Sequence, residues 1–431
     1  MSISTLYKLY LQNPLVCTDT RKIQPGCLFF ALKGPTFNGN NFALEALKLG
    51  AAYSIIDEPP TQADERLIQV NDVLETLQKL ANHHRKQLNI PVIAIVGSNG
   101  KTTTKELIYS VLKTGYHVLA TPGNFNNHIG LPLTLLQLNQ THEIAIIEMG
   151  ANHIGENALL CEIAEPSHGL VTNNGMDHLE GFGDIEGVAK SNSELYYYLL
   201  KNKGVAFVNA HDEWLMRMAS RLTNITTYAG NTATRTAQAN IVAFAHSLQP
   251  QLAFELNGHS VQSVLSGDYN FDNIMGAIAI GLHFNLSIDK IATGISSYVP
   301  SNNRSQWIQH PNNIIFMDAY NANPSSMEAA LRNFAQFNHT DKVIVLGDMF
   351  EMGAFASQEH QRMVDLCKTL AFETVWLVGE EFNRTNAASF KKFMTTPDAI
   401  EYLKAHQPQN KAFFLKGSRG MKLETLTAFI P

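Results

Sequence analysis

Short uninterrupted apolar runs alternate along this chain with stretches whose apolar residues recur every three or four positions, and polar loops separate the two. The first kind predicts buried strands, the second amphipathic helices. The sharpest instance lies between Pro91 and Glu106. Val92 to Val96 are all apolar and run into Gly97-Ser98-Asn99-Gly100-Lys101-Thr102-Thr103, after which Leu107, Ile108, Val111 and Leu112 fall at helical spacing. Strand, glycine loop and helix are expected in that order.

The alternation continues to about Val299, with strands at 143–149, 169–172 and 205–208 and a helix from Ile185 to Leu200. It predicts a mostly parallel sheet covered by helices, with ligands at the carboxyl ends of its strands. Segments near 239–245, 252–256 and 261–265 alternate with period two and read as a β-rich insert before helices resume at Asn270. From residue 302 onward strand IIFMD, helix PSSMEAALRNF, strand VIVL, a helix through His360 to Leu370, and strands TVWLV and AFFL predict a further doubly wound unit. The N-terminal stretch, with CLFFAL at 27–32, a helix near Phe42 to Leu49 and a strand at Tyr53 to Ile56, reads as a small α/β unit. The expected architecture is α/β in three domains, 1–85, 86–301 and 302–431, the central one built on a phosphate-loop sheet.

A chain of 431 residues exceeds the size at which single cores stop growing, which agrees with that division. With 45% hydrophobic and 16% charged residues and a net charge of −6, the composition gives no reason to expect a nucleic-acid partner. No apolar run approaches a membrane span and the first residues lack a basic leader, so a soluble, cytoplasmic enzyme is expected, without membrane insertion and as a monomer. Cys17, Cys27, Cys161 and Cys367 form no CxxC pair, which argues against a zinc site or a disulfide framework.

Chemistry enters at the loops. In GxxGKT between a strand and a helix, backbone N–H groups cradle phosphate oxygens, the lysine reaches the outer phosphates and the hydroxyl holds Mg²⁺. The longer phosphate-loop pattern has a glycine where this chain has Ile95. Four more polar clusters follow predicted strands: Gly123 to Gly130 with Asn126 and Asn127; Glu148-Met149-Gly150; Asn173 to His178; and, in the last domain, Asp318 to Pro324 with Arg304, Gly347 to Gly353, and Lys416 to Gly420. Glu148 and His178 at neighbouring strand ends suit Mg²⁺. Taken singly, His178 reads more readily as a satisfied polar residue than as a ligand, and Lys190, on the helix 185–200, as a surface lysine.

Together, DTRKIQPGCLFFALKG, GSNGKTTTKE, GNFNNHIGLPLTLL, IIEMGA, DHLEGFG, GDYNFDNIMGA, DAYNANPSSMEAAL, LGDMFEMG and LKGSRGMKLE resemble the Mur ligases, ATP-dependent ligases that assemble the peptide stem of bacterial peptidoglycan. The likeness covers nearly the whole chain. It implies one domain for the UDP end of the substrate, one for ATP, and one that closes over both. YNANPSSMEAAL and LGDMFEMG point to UDP-N-acetylmuramoyl-tripeptide and D-alanyl-D-alanine as substrates, with the tripeptide carboxylate activated as an acyl phosphate.

Carried over residue by residue, the resemblance implies that Gly97 to Thr103 hold ATP, with Lys101 on its phosphates. Asn270 and Asn273 would lie near the adenine, and Arg304 and Asp318 would reach the nucleotide from the closing domain. Thr102, Glu148 and His178 would hold Mg²⁺, joined by Lys190 as a CO₂-derived carbamate; Lys101, Lys190 and His178 would be catalytic. Thr20, Arg21, Asn126, Asn127, Tyr320, Asn321 and Arg419 would contact substrate. Two departures stand out. Many relatives read lysine-glycine-glutamate where this chain has Lys190-Ser191-Asn192-Ser193-Glu194, which implies a local shift of the helix, and the aspartate-glycine-histidine of the first domain is replaced by Asn38-Gly39-Asn40-Asn41. Alternatives are another amide ligase of this architecture, such as folylpolyglutamate synthase, and a non-catalytic nucleotide-dependent switch, which would leave Glu148, His178 and Lys190 without a joint purpose.

Overall fold

The computed structural model describes residues 1–301, 303–387 and 389–431, in which three parallel-rich sheets follow one another along the chain. Residue 302, the expected start of the third domain, lies outside the described residues. The first sheet is wholly parallel, in the order Val16–Cys17, Leu28–Phe30, Tyr53–Ile56, Leu67–Gln69. Its second strand, Leu-Phe-Phe, is buried throughout, as a strand covered on both faces must be.

The central sheet has nine strands, with Val92–Val96 between His168–Val171 and Ile144–Glu148, and Val118–Ala120 at one edge. The region expected as a β-rich insert belongs to this same sheet. Ile225–Asn231 pairs parallel with Val205–Asn209 on one side and with Ile241–Ser247 on the other; antiparallel strands Leu252–Leu256 and His259–Ser263 then finish the edge. The third sheet runs Gln306–Gln309, Asn313–Met317, Lys411–Lys416, Lys342–Gly347, Thr374–Val378, Lys391–Phe393, with only its first pair antiparallel.

The helix Val73–Gln87 runs through the expected boundary at 85 and buries Leu77, Leu80 and Ala81 in a core that contains both first-sheet and central-sheet residues. Tyr10, from the N-terminal helix Ile3–Gln12, donates from Oη to Leu136 O at 2.6 Å across that junction. On the other face of the central sheet, Lys101–Leu112 packs against Asp268–His283 and Ile288–Ser297, with Leu107, Ile108, Val111 and Leu112 all fully buried. Each such side chain contributes about 1.5–3 kcal/mol of burial free energy. That packing makes the base of the glycine loop rigid.

Candidate active site

The glycine loop leaves Val92–Val96 and turns into the helix Lys101–Leu112 at Gly100, whose φ of 79° is left-handed. A Cβ at Gly100 would come within 2.6 Å of Asn273 Oδ1, and one at Gly97, φ 130°, within 2.1 Å of Thr172 Oγ1, so both positions require glycine. The neighbouring strand end clamps the loop: Asn99 N donates to Asn173 Oδ1 at 3.1 Å and Asn173 Nδ2 donates to Asn99 O at 3.0 Å. From below, Asn273 accepts a bond from Thr104 Oγ1 at 3.0 Å and donates to Asn270 Oδ1 at 3.2 Å. The Lys101 ammonium folds back onto the carbonyls of Gly97 and Ser98.

This loop lines a cleft of about 900 Å³ between the central and third sheets. Ser98 to Thr103, Asn126, Asn127, Glu148 and His178 line it, as do Asn270, Asn273, Arg304, Asp318, Tyr320 and Asn321. Glu148 ends the strand Ile144–Glu148 and is 2% exposed. Its Oε1 accepts from Asn126 Nδ2 at 2.8 Å; its Oε2 has no hydrogen-bond partner among the described residues and lies 4.0 Å from the ammonium of Lys105, which is fully buried. A buried carboxylate oxygen left in this state is the donor a hard cation takes. Among the described residues no group of three or more His, Cys, Asp and Glu is arranged around a metal, so a cation there would be completed by phosphate and water, as Mg²⁺ commonly is.

His178 opens the short helix Leu179–Phe182 with a left-handed φ of 46°, an unfavourable conformation for a non-glycine residue and common at functional sites. Its carbonyl accepts from Gly181 N and Phe182 N, and its Nδ1 pairs with Glu351 of the third sheet's loops. Other bonds tie the two regions together: Asn323 Nδ2 donates to Asn99 Oδ1 at 2.8 Å, and Met176 N donates to Ser325 Oγ at 2.8 Å. Asn323 also caps the helix Pro324–Ala335 through a capping box with Ser326. Arg304 stacks over Tyr320, 3.7 Å from the ring centroid, and its Nε has no partner among the described residues. Asp318 accepts from Ser305 N at 3.1 Å and from Lys416 Nζ at 2.5 Å. Asn127 spends its Oδ1 on the N–H groups of Ile129 and Gly130, which leaves its amide nitrogen for a ligand.

Five expected site residues are not among those that line the cleft; one, Gly97, sits at the base of the phosphate loop against Thr172. Thr20 and Arg21 lie on the first sheet's turn Thr20–Lys22, where Arg21 forms a two-point pair with Asp19 at 2.9 and 2.7 Å. Arg419 stands behind Tyr320, 5.2 Å from its ring. Lys190 is exposed. Ile185–Asn202 is continuous, with Val188, Ser191, Asn192, Leu195 and Leu199 on its buried face; Lys190 falls on the opposite face, in phase with exposed Tyr197 and Lys201. Conversely, Tyr269 and Ser325 line the cleft without a site expectation of their own, and Asp177 and Lys416, from the clusters Asn173 to His178 and Lys416 to Gly420, line it as well. Asp177, 7% exposed with Oδ1 unpartnered among the described residues, had a sequence signal in its position beside His178.

A smaller cavity of about 320 Å³ shares Asn173, Tyr269 and Asn273 with the cleft. In its wall, burial pushes the Asp272 carboxyl up to about 6, although Arg235 lies 2.8 Å away and opposes the shift.

The geometry can be set beside known proteins. Three family models match successive parts of the chain: Mur ligase family, catalytic domain over 15–85; Mur ligase middle domain over 95–281; and Mur ligase, glutamate ligase domain over 303–419. The chain is 33% identical to the UDP-N-acetylmuramoyl-tripeptide–D-alanyl-D-alanine ligase of Bacillus subtilis, over 99% of this chain and 96% of that one. It is similar to a crystal structure of MurF from Acinetobacter baumannii, with a TM-score of 0.88, 32% identity and coverage of 96% and 92%. It is also similar to the MurF ligase of Thermotoga maritima in complex with ADP, with a TM-score of 0.86, 25% identity and 97% of each chain covered. With matches in all three parts and a phosphate loop at the heart of the cleft, this chain belongs to the Mur ligase family.

Proposed function

We propose that this protein joins D-alanyl-D-alanine to UDP-N-acetylmuramoyl-tripeptide in an ATP-dependent amide ligation that passes through an acyl phosphate. One observation carries the reading: a single cleft gathers the phosphate loop, the unpartnered oxygen of Glu148, and Arg304, Tyr320 and Asn321 from the third sheet. The near full-length match to a ligase of that name supports the choice of substrates. Support for the division at 1–85, 86–301 and 302–431 comes from the three successive sheets.

A carboxylate is a poor electrophile. Its oxygen would attack the γ-phosphorus of ATP and ADP would leave; the dipeptide amine would then attack the carbonyl and expel phosphate, which keeps the carboxylate oxygen. Lys101 would exchange its contacts to the Gly97 and Ser98 carbonyls for phosphate oxygens, while the loop N–H groups hold the rest. Glu148, Thr102 and the Nε2 of His178, which has no partner among the described residues, are the groups that would hold Mg²⁺, and bound Mg²⁺ would supply neutralisation of phosphate charge. Arg304 and Lys416 would bring positive charge from the third sheet, and Asn126 holds Glu148 in place through its amide. Arg419 is assigned to substrate through Tyr320, and Thr20 and Arg21 to the UDP end. Contacts between the sheets at Asn99–Asn323 and Met176–Ser325 would keep water from the acyl phosphate. The test is phosphate release with each substrate omitted in turn. Full turnover is expected only with ATP, the tripeptide nucleotide and D-alanyl-D-alanine together; equal turnover with ATP alone overturns the reading.

A further inference from the structure

The helix Ile185–Asn202 is fixed in rotation at several points. Asp184 caps it by accepting from Gly187 N at 2.8 Å, Glu194 accepts from Gly155 N at 2.6 Å and Ala158 N at 2.8 Å, and Asn157 Nδ2 donates to Ser191 Oγ at 3.1 Å. Turning Lys190 inward would expel Ser191 and Leu195, both fully buried, and Asn192, which is 6% exposed. With Glu194 in place, the lysine of the lysine-glycine-glutamate pattern coincides with Asn192, two positions earlier. An amide nitrogen is not a nucleophile toward CO₂, and the lysine that could react points to solvent. The carbamate implied by the resemblance does not fit this chain.

What stands there is a neutral amide pair. Asn192 Nδ2 donates to Asn174 Oδ1 at 2.9 Å, and Asn174 lines the cleft beside Asn173, the residue that clamps Asn99 of the phosphate loop. We propose that Asn192 is a positioning residue that holds the Asn173–Asn174 strand end against the phosphate loop, and that this enzyme works without a lysine carbamate. The proposal rests on the ligase reading only for its kinetic arm.

Carbon NMR of the full chain, equilibrated with ¹³C-bicarbonate at mildly alkaline pH, is expected to show no lysine carbamate signal, and CO₂ depletion is expected to leave turnover unchanged. Lys190→Ala is expected to keep kcat and KM within about twofold, the range of a surface substitution. Asn192→Leu, which keeps volume and loses the bond, is expected to lower kcat at least tenfold with a smaller change in KM for the dipeptide. Asn192→Asp is expected to restore much of it, because Asn174 can turn its amide and donate. A merely structural role predicts the reverse ranking, with Leu tolerated and a buried Asp not. A carbamate signal that disappears in Lys190→Ala overturns the proposal, as does an Asn192→Leu enzyme more active than Asn192→Asp. Absence of turnover with every acceptor would refute the ligase reading instead, and the NMR result would stand apart from it.

Discussion

Removing the buried ammonium beside Glu148 tests whether that carboxylate faces a cation site. Lys105 is fully buried and its Nζ donates to Thr121 O at 2.7 Å, reaches Glu106 Oε1 at 3.0 Å, and lies 4.0 Å from Glu148 Oε2. At that last separation the attraction is about 4 kcal/mol with an effective dielectric constant of about 20, before desolvation is subtracted. Lys105→Met keeps the stem and removes the charge. It leaves a carboxylate that is 2% exposed without its cation and the Thr121 carbonyl without a donor. Breaking a buried pair in this way costs about 3–5 kcal/mol; because Glu106 is partly solvated, a loss near the lower end is expected. Urea unfolding of wild type, Lys105→Met, Glu148→Gln and the double variant measures the coupling, expected at about 1–3 kcal/mol. Millimolar Mg²⁺ should stabilise Lys105→Met more than wild type, since the metal takes over the neutralisation, and this extra effect should vanish in the double variant. A loss below about 1 kcal/mol, or additive single effects, would refute the electrostatic account of Glu148.

Lys101→Ala should lower kcat/KM by about 10²–10³-fold while leaving the unfolding midpoint nearly unchanged, because its partners among the described residues are the loop's own carbonyls; steady-state kinetics beside thermal unfolding would check both. Asn323→Asp keeps the acceptor that caps Ser326 N but cannot donate to Asn99, so stability should hold within about 0.5 kcal/mol while KM for ATP rises severalfold. An unchanged KM would remove the contact between the sheets from the account. Burial, with His283 beside it, lowers the His168 imidazole to about 4, and the two Nε2 atoms are 3.0 Å apart. A depressed folded value means that stability is present above the unfolded value near 6.5 and is lost as pH falls toward 4, by about 1–2 kcal/mol at pH 5. His168→Phe should flatten that slope in urea unfolding measured at pH 7 and pH 5.

Where a strand is apolar on both faces, the sequence showed it: Val92–Val96, Tyr53–Ile56 and Thr374–Val378 have the expected bounds. Ile225–Asn231 went unseen because Thr226, Thr227, Gly230 and Asn231 dilute its apolar content, although β-branched threonines suit a strand. Lys391–Phe393 is a short edge strand whose two lysines read as loop. The helix Thr396–His406 has a sequence signal in the Thr395–Asp398 capping box. Within the site, the phosphate loop was legible because its chemistry is local. Ser325 was not, since only the approach of the third sheet brings it to the cleft; Lys416 stood in a legible cluster, and the pairing of Lys411–Lys416 with Asn313–Met317 sets it beside Asp318. The resemblance put Lys190 at the metal, whereas the helical phase of Val188, Leu195 and Leu199 in the sequence turns it outward.

The most direct test of the central claim follows an oxygen atom. In an acyl phosphate route the terminal carboxylate of the tripeptide gives one of its oxygens to the released phosphate. With that carboxylate labelled with ¹⁸O and all substrates present, mass spectrometry of the phosphate should find one ¹⁸O per product formed, diluted only by the labelling level. Unlabelled phosphate formed together with ligated product would contradict the account.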